Sequence, residues 1–143
     1  MKQIQQTAPN DFPFVNDLGH IYCQLTENGW GELNFGWAKF EFELHADLRH
    51  GNSDVDGLTE FDEKKIKLEM GLSDSEARET IIHEVYHVIL ESVGLDERLY
   101  DGEFIKTTNE MLANTLAKQM RLFDNLNPGF LALLYQDVQT TFN

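Results

Sequence analysis

One stretch limits the fold more than any other: Thr80-Ile81-Ile82-His83-Glu84-Val85-Tyr86-His87-Val88. It lies inside a run with helical periodicity. Ser73 opens that run as an N-cap, and Glu76, three residues on, is its capping-box partner. Gly94 is placed to end it. The pattern predicts a helix from Asp74 to about Val93, with Ala77, Ile81, Ile82, Val85, Val88 and Ile89 as its buried side. Residues four apart on a helix lie one turn up and about 40° round. His83 and His87 therefore point the same way, off the main apolar stripe, and two imidazoles so placed can chelate one metal ion. Glu84 sits beside them, placed to take a proton from a metal-bound water.

Around this helix the chain reads as one domain spanning residues 1–143, long enough for a real core. Residues 1–19 read as irregular, because Pro9 and Pro13 break any early helix. His20 to Thr26 is expected to be a short strand ending at Asn28-Gly29, and Trp37 to His45 a second one, favoured by its alternation although Ala38 to Leu48 can also be drawn as a helix. Asn52 to Gly57 is turn-rich. Leu58–Phe61 and Lys65–Met70 read as a hairpin, with Ile66, Leu68 and Met70 on one side and Lys65, Lys67 and Glu69 on the other. After the helix comes an acidic connector, Leu95 to Lys106. A second helix runs from Thr107 or Thr108 to about Asp124, Asn127-Pro128-Gly129 breaks the chain, and Phe130 to Val138 forms a short last helix. Strands first and helices last is the α+β pattern: a small, mostly antiparallel sheet packed on the first long helix.

Charge narrows the partners. A formal net charge of −14 argues against nucleic acid and against an anionic membrane, since both would be repelled. No apolar run approaches the length of a membrane span, and Met1 to Asn10 lacks the apolar core of a signal peptide. The single cysteine, Cys23, cannot form an internal disulfide, which fits a reducing compartment. The cytoplasm is the expected location, that of the host if the chain is phage-encoded.

A catalytic zinc needs a third protein ligand and an open position for water. No histidine follows His87, and Leu90 and Val93 occupy the places of the glycine and third histidine of a metzincin extension. A carboxylate from the second helix is the expected third ligand, with Glu110 the first candidate and Glu103 in reserve. Glu110 has a competing occupation, because Thr107-x-x-Glu110 is itself a capping box. Glu91, one turn beyond His87, reads as a solvated group or as one that supports a metal ligand. Tyr86 reads as a packing residue, and Tyr100 in the connector as a candidate oxyanion donor. His20, His45 and His50 read as ordinary polar residues. Iron or manganese would also accept two histidines and a carboxylate, but the helical motif favours zinc.

His83-Glu84-x-x-His87 followed by Asn109-Glu110 resembles the gluzincin arrangement, in which the glutamate of a following Asn-Glu motif completes a zinc site. In such enzymes a carboxylate one turn further on supports a ligand histidine; here Asn114 stands there, an amide that accepts more weakly. More closely, Gly57-Leu58-Thr59-Glu60-Phe61, Glu79 to Glu84, the Glu110 helix and Asn127-Pro128 resemble small phage-type zincin-like metallopeptidases related to the ImmA/IrrE and SprT-like groups. The resemblance covers about half of the chain. It implies a small sheet on the active helix, with Gly57 to Phe61 as the cleft-edge strand.

The expected activity is zinc-dependent hydrolysis of a peptide or protein substrate, with Zn2+ on His83, His87 and Glu110 and with Glu84 as general base. Three other chemistries fit parts of the chain. Asn52-Ser53-Asp54-Val55-Asp56-Gly57, with Glu63 in twelfth place, matches much of a calcium-binding loop, although Asn52 and Thr59 depart from its pattern and the flanks read as strands. A catalytically idle, zinc-stabilised binding module would keep the fold and lose the hydrolysis. A deformylase-like site would use Cys23 as third ligand, but Tyr22-Cys23-Gln24-Leu25 lacks the glycine-rich context, and Cys23 reads as a small buried hydrophobe.

Overall fold

Strand β3 (Lys39–His45) is the seam on which the sheet is built. The computed structural model describes residues 3–6, 19–94 and 109–136, with the backbone alone at Gln5, Gln6 and residues 109–112. Phe40, Phe42 and Leu44 alternate with Glu41, Glu43 and His45 along β3, so the pleat sends the apolar set to one face. β7 (Lys65–Glu69) runs parallel to β3, with Phe42 opposite Ile66 and Leu44 opposite Leu68, and all four side chains are fully buried. β6 (Gly57–Glu60) is antiparallel to β7. β1 (Gln5–Gln6) pairs parallel with β3, and β2 (Glu32–Asn34) pairs with it antiparallel. The main sheet is ordered β1-β3-β7-β6, with β6 at its end. β4 (Arg49–His50) and β5 (Ser53–Asp54) form a separate small hairpin. Among the described residues three of the five strand pairings are antiparallel. The expected α+β layout is present, including the 58–61/65–70 hairpin.

Helix α2 (Asp74–Ser92) packs on β6 and β7. Its cap is the one the sequence implies: Ser73 Oγ accepts from the Glu76 N–H and donates to Glu76 Oε1. Gly94, at φ +71°, ends it in the left-handed conformation. Ala77, Ile81, Val85, Val88 and Ile89 are buried as expected, and Ile82 is half-buried. Helix α3 (Asn109–Leu126) packs against α2, and the short α4 (Phe130–Leu134) sets Phe130 against Phe42, Phe123 and Trp30. That last helix is shorter than the expected Phe130 to Val138: it ends at Leu134, with Tyr135 as its C-cap, and residues 137 and 138 lie outside the described residues.

Two further expectations are corrected. Residues 1–19 are not irregular throughout, since Gln5–Gln6 joins the sheet. His20 to Thr26 is not a strand; Ile21–Glu27 is helix α1. Its residues include several with β-propensity, but capping and burial decide. His20 Nδ1 accepts the Tyr22 N–H, while its Nε2 faces the Leu72 carbonyl at 3.0 Å. Asp74 Oδ1 accepts the Ile21 N–H at 2.6 Å. The helical turn then puts Ile21, Tyr22 and Leu25 into the core, where none has exposed surface.

Asp74 also anchors α4. Its Oδ2 accepts from Arg78 Nε at 2.9 Å, and Arg78 Nη1 donates to the carbonyls of Leu133 and Leu134. Asn127, expected only as a chain breaker, is buried and does more. Its side-chain oxygen accepts the Asn34 N–H and its amide donates to the Asn34 and Phe123 carbonyls, so it ties the end of α3 to β2.

On the opposite sheet face, Glu43 lies between Lys65 Nζ at 2.8 Å and His45 Nε2 at 2.6 Å. Burial pushes the Glu43 carboxyl up, but hydrogen bonds and charge from Lys65 and His45 outweigh it and hold the group below the usual carboxylate value. A carboxylate lowered in the folded state stabilises it above the unfolded value, and that contribution is lost as pH falls through the folded one. Lys65→Met removes the foremost lowering partner. Its acid-unfolding midpoint, followed by circular dichroism, is expected at higher pH than that of the wild type; an unchanged or lower midpoint would contradict this pairing.

Candidate metal centre

α2 carries the metal-competent group. His83, Glu84 and His87 offer ligand atoms that all lie within 4.8 Å of one another, and this is the only such group of three among the described residues. The two Nε2 atoms are 3.0 Å apart, with the rings nearly perpendicular at 78°. Donors bound at about 2.0–2.1 Å to a tetrahedral zinc are separated by about 3.3 Å, so the pair fits one ion with little adjustment. His83 is open, with 68% of its side-chain surface exposed, whereas Glu84 keeps only 6%. Glu84 Oε2 is 3.8 Å from His83 Nε2. Its other oxygen, Oε1, accepts from Thr59 Oγ1 at 2.8 Å.

The approach of β6 to α2 depends on Gly57. A Cβ there would stand 2.6 Å from Thr80 Cγ2 and 3.0 Å from Glu84 Cγ. Neither neighbour yields cheaply, because Thr is stiff at χ1 and the Glu84 stem is buried. Beside this contact lies a cleft of 510 Å³ lined by Val55, Asp56, Gly57, Glu76, Glu79, Thr80, His83 and Glu84. The histidine and the carboxylate of the motif thus open onto a cavity large enough for part of a substrate.

Other expected positions fall as follows. Glu110 is the second residue of α3, the helix that packs on α2, but its side chain lies outside the described residues. Tyr100, Glu103 and the rest of the connector also lie outside them. Asn114 is exposed on α3, and Glu91 is exposed near the end of α2. Tyr86 is more open than a packing residue, at 39% exposure. His20 is the α1 cap, His45 pairs with Glu43, and His50 is exposed on β4. Cys23 is buried on α1 and is not among the metal-competent residues.

The calcium-like stretch folds differently from a calcium loop. Residues 52–60 supply β5 and β6, Asp54 is 3.3 Å from Arg49, and Asp54, Asp56 and Glu63 are not gathered into one group. Gly57 to Phe61 is the strand expected at the cleft edge, and Gly57 lines the cleft; the contacts of Thr59 and Gly57 with Glu84 are what sequence reasoning missed. Period-2 alternation puts both on one side of β6, but nothing in the sequence says that this side meets Glu84.

Among the described residues no helix is long and apolar enough to cross a membrane. Comparison with family models, with curated proteins and with solved structures finds no match to this chain.

Gly57→Val tests the close approach. It is expected to lower unfolding stability by about 1–3 kcal/mol in urea titrations, as overpacked contacts do. A loss below about 0.5 kcal/mol would mean that β6 and α2 are not held together here.

Proposed function

We propose that this chain is a zinc-dependent peptidase of the zincin type. The observation that carries the reading is the pair of imidazole nitrogens 3.0 Å apart, beside a buried carboxylate, at the mouth of a cleft. His83 and His87 would hold the metal, with Glu110 on α3 the proposed third ligand, and zinc bound there would supply Lewis-acid polarisation of a scissile carbonyl and acidification of water. Glu84 accepts the proton of the attacking water and returns it to the leaving amine. Its burial favours this role, since the shielded carboxylate has few competing solvent contacts.

Strand β6 suits the binding of an extended peptide. The Glu69 N–H donates to the Asp56 carbonyl, so by antiparallel alternation residues 56, 58 and 60 bond to β7. The backbone groups of Gly57 and Thr59 then face the other edge, where no strand pairs among the described residues. A substrate added as a further strand would run past the His83–Glu84 pair. The acidic chain fits a protein or peptide partner rather than nucleic acid or an anionic membrane, both of which it would repel.

The test uses the full chain without a histidine tag, loaded with one equivalent of zinc and offered fluorescein-labelled casein. Cleavage is expected, lost with 1,10-phenanthroline and restored by zinc. Glu84→Gln is expected to retain zinc and to lose at least about 100-fold in rate. Zinc-loaded wild type that cleaves nothing, or a Glu84→Gln variant as fast as wild type, would overturn the reading and leave a metal-stabilised binding module.

A further inference from the structure

We propose that Thr59 is the positioning residue of Glu84, and that β6 thereby ties the general base to the register of the substrate. This rests on the peptidase reading above. A glutamate carboxylate turns easily about its last torsion, which is broad and roughly two-fold. Left to itself, either oxygen of Glu84 could face the histidines. Two contacts remove that freedom, and both come from β6. The Thr59 hydroxyl has one proton to give, and it gives it to Oε1 at 2.8 Å. Oε2 is left on the side of His83, at 3.8 Å from its Nε2. Gly57, two residues earlier on the same side of the strand, lies flush against the stem, so that even a methyl group there would come within 3.0 Å of Glu84 Cγ and 3.3 Å of Cδ.

Gly57 and Thr59 are also the residues whose backbone groups face the edge of β6 where no strand pairs among the described residues. One dipeptide spacing thus serves two purposes. Its backbone is set to pair with an incoming strand, while its inner face fixes which oxygen of Glu84 works. Any shift of β6 relative to α2 would move substrate and base together. Oε2 is therefore assigned as the oxygen that takes the proton, and Oε1 as the anchored one.

The test compares Thr59→Val, which keeps the shape and removes the hydroxyl, with Thr59→Ser, which restores it. The first readout needs no activity: crystal structures of both variants without metal. Thr59→Val is expected to show the Glu84 carboxylate turned or split between orientations with His83 and His87 unmoved, and Thr59→Ser the wild-type orientation. An unmoved carboxylate in Thr59→Val overturns the proposal. The second readout is casein cleavage by the zinc-loaded proteins. Thr59→Val is expected to lose about 10- to 100-fold in kcat with KM and zinc content unchanged, and Thr59→Ser to recover most of it. A raised KM with normal kcat, or no recovery in Thr59→Ser, also overturns it. If the zinc-loaded wild type cleaves nothing, the peptidase reading falls with the catalytic part of this one, and the crystal structures alone decide whether Thr59 sets the carboxylate.

Discussion

The contact between strand β6 and helix α2 governs everything at the centre. Two elements meet there with almost no side-chain volume between them, because Gly57 contributes none. That closeness lets a threonine hydroxyl from the strand reach a carboxylate on the helix. It also buries Glu84 while His83, its immediate neighbour, stays open to solvent. A carboxylate inside and an imidazole outside, on consecutive residues, is what a strand laid along one flank of a helix produces. The same placement puts the edge of β6, where no strand pairs among the described residues, beside the cleft that His83 and Glu84 line.

Buried polar groups fix the frame that holds this contact. Asp74 accepts from the backbone at the start of α1 and pairs with Arg78, which in turn caps the end of α4. Asn127 fastens α3 to β2 through the backbone of Asn34. Each of these groups has directional demands that an apolar contact lacks, so the helices are held in angle as well as in distance. The parallel pairing of β3 with β7 completes the frame by lining up Phe42, Leu44, Ile66 and Leu68 as one buried apolar face, and α2 packs on the β6–β7 side of the sheet.

Much of this was legible in the sequence, and the reasons follow from range. The α2 cap, its buried stripe and the one-turn spacing of His83 and His87 depend on residues within one helix, so local pattern reveals them. Alternation likewise revealed β3 and the β6–β7 hairpin. The misreading of α1 has the opposite cause. Ile21, Tyr22 and Thr26 favour strand locally, and the helix is secured by Asp74, more than 50 positions away. The Thr59–Glu84 bond spans 25 positions and two elements, so no local rule could announce it. Pro128 and Gly129 make Asn127 look like a breaker, whereas its bonds to the backbone of Asn34 join residues 93 positions apart. The calcium-like pattern fails for the same reason: it is a local match, and the chain there is committed to strands.

Zinc-edge X-ray absorption on the full chain carrying one equivalent of zinc reads out whether His83 and His87 hold the ion. A four-coordinate ion is expected, its spectrum containing the multiple scattering of two imidazoles, with oxygen completing the shell and no sulfur. A spectrum of zinc surrounded by oxygen alone, or one with a sulfur ligand from Cys23, would contradict it.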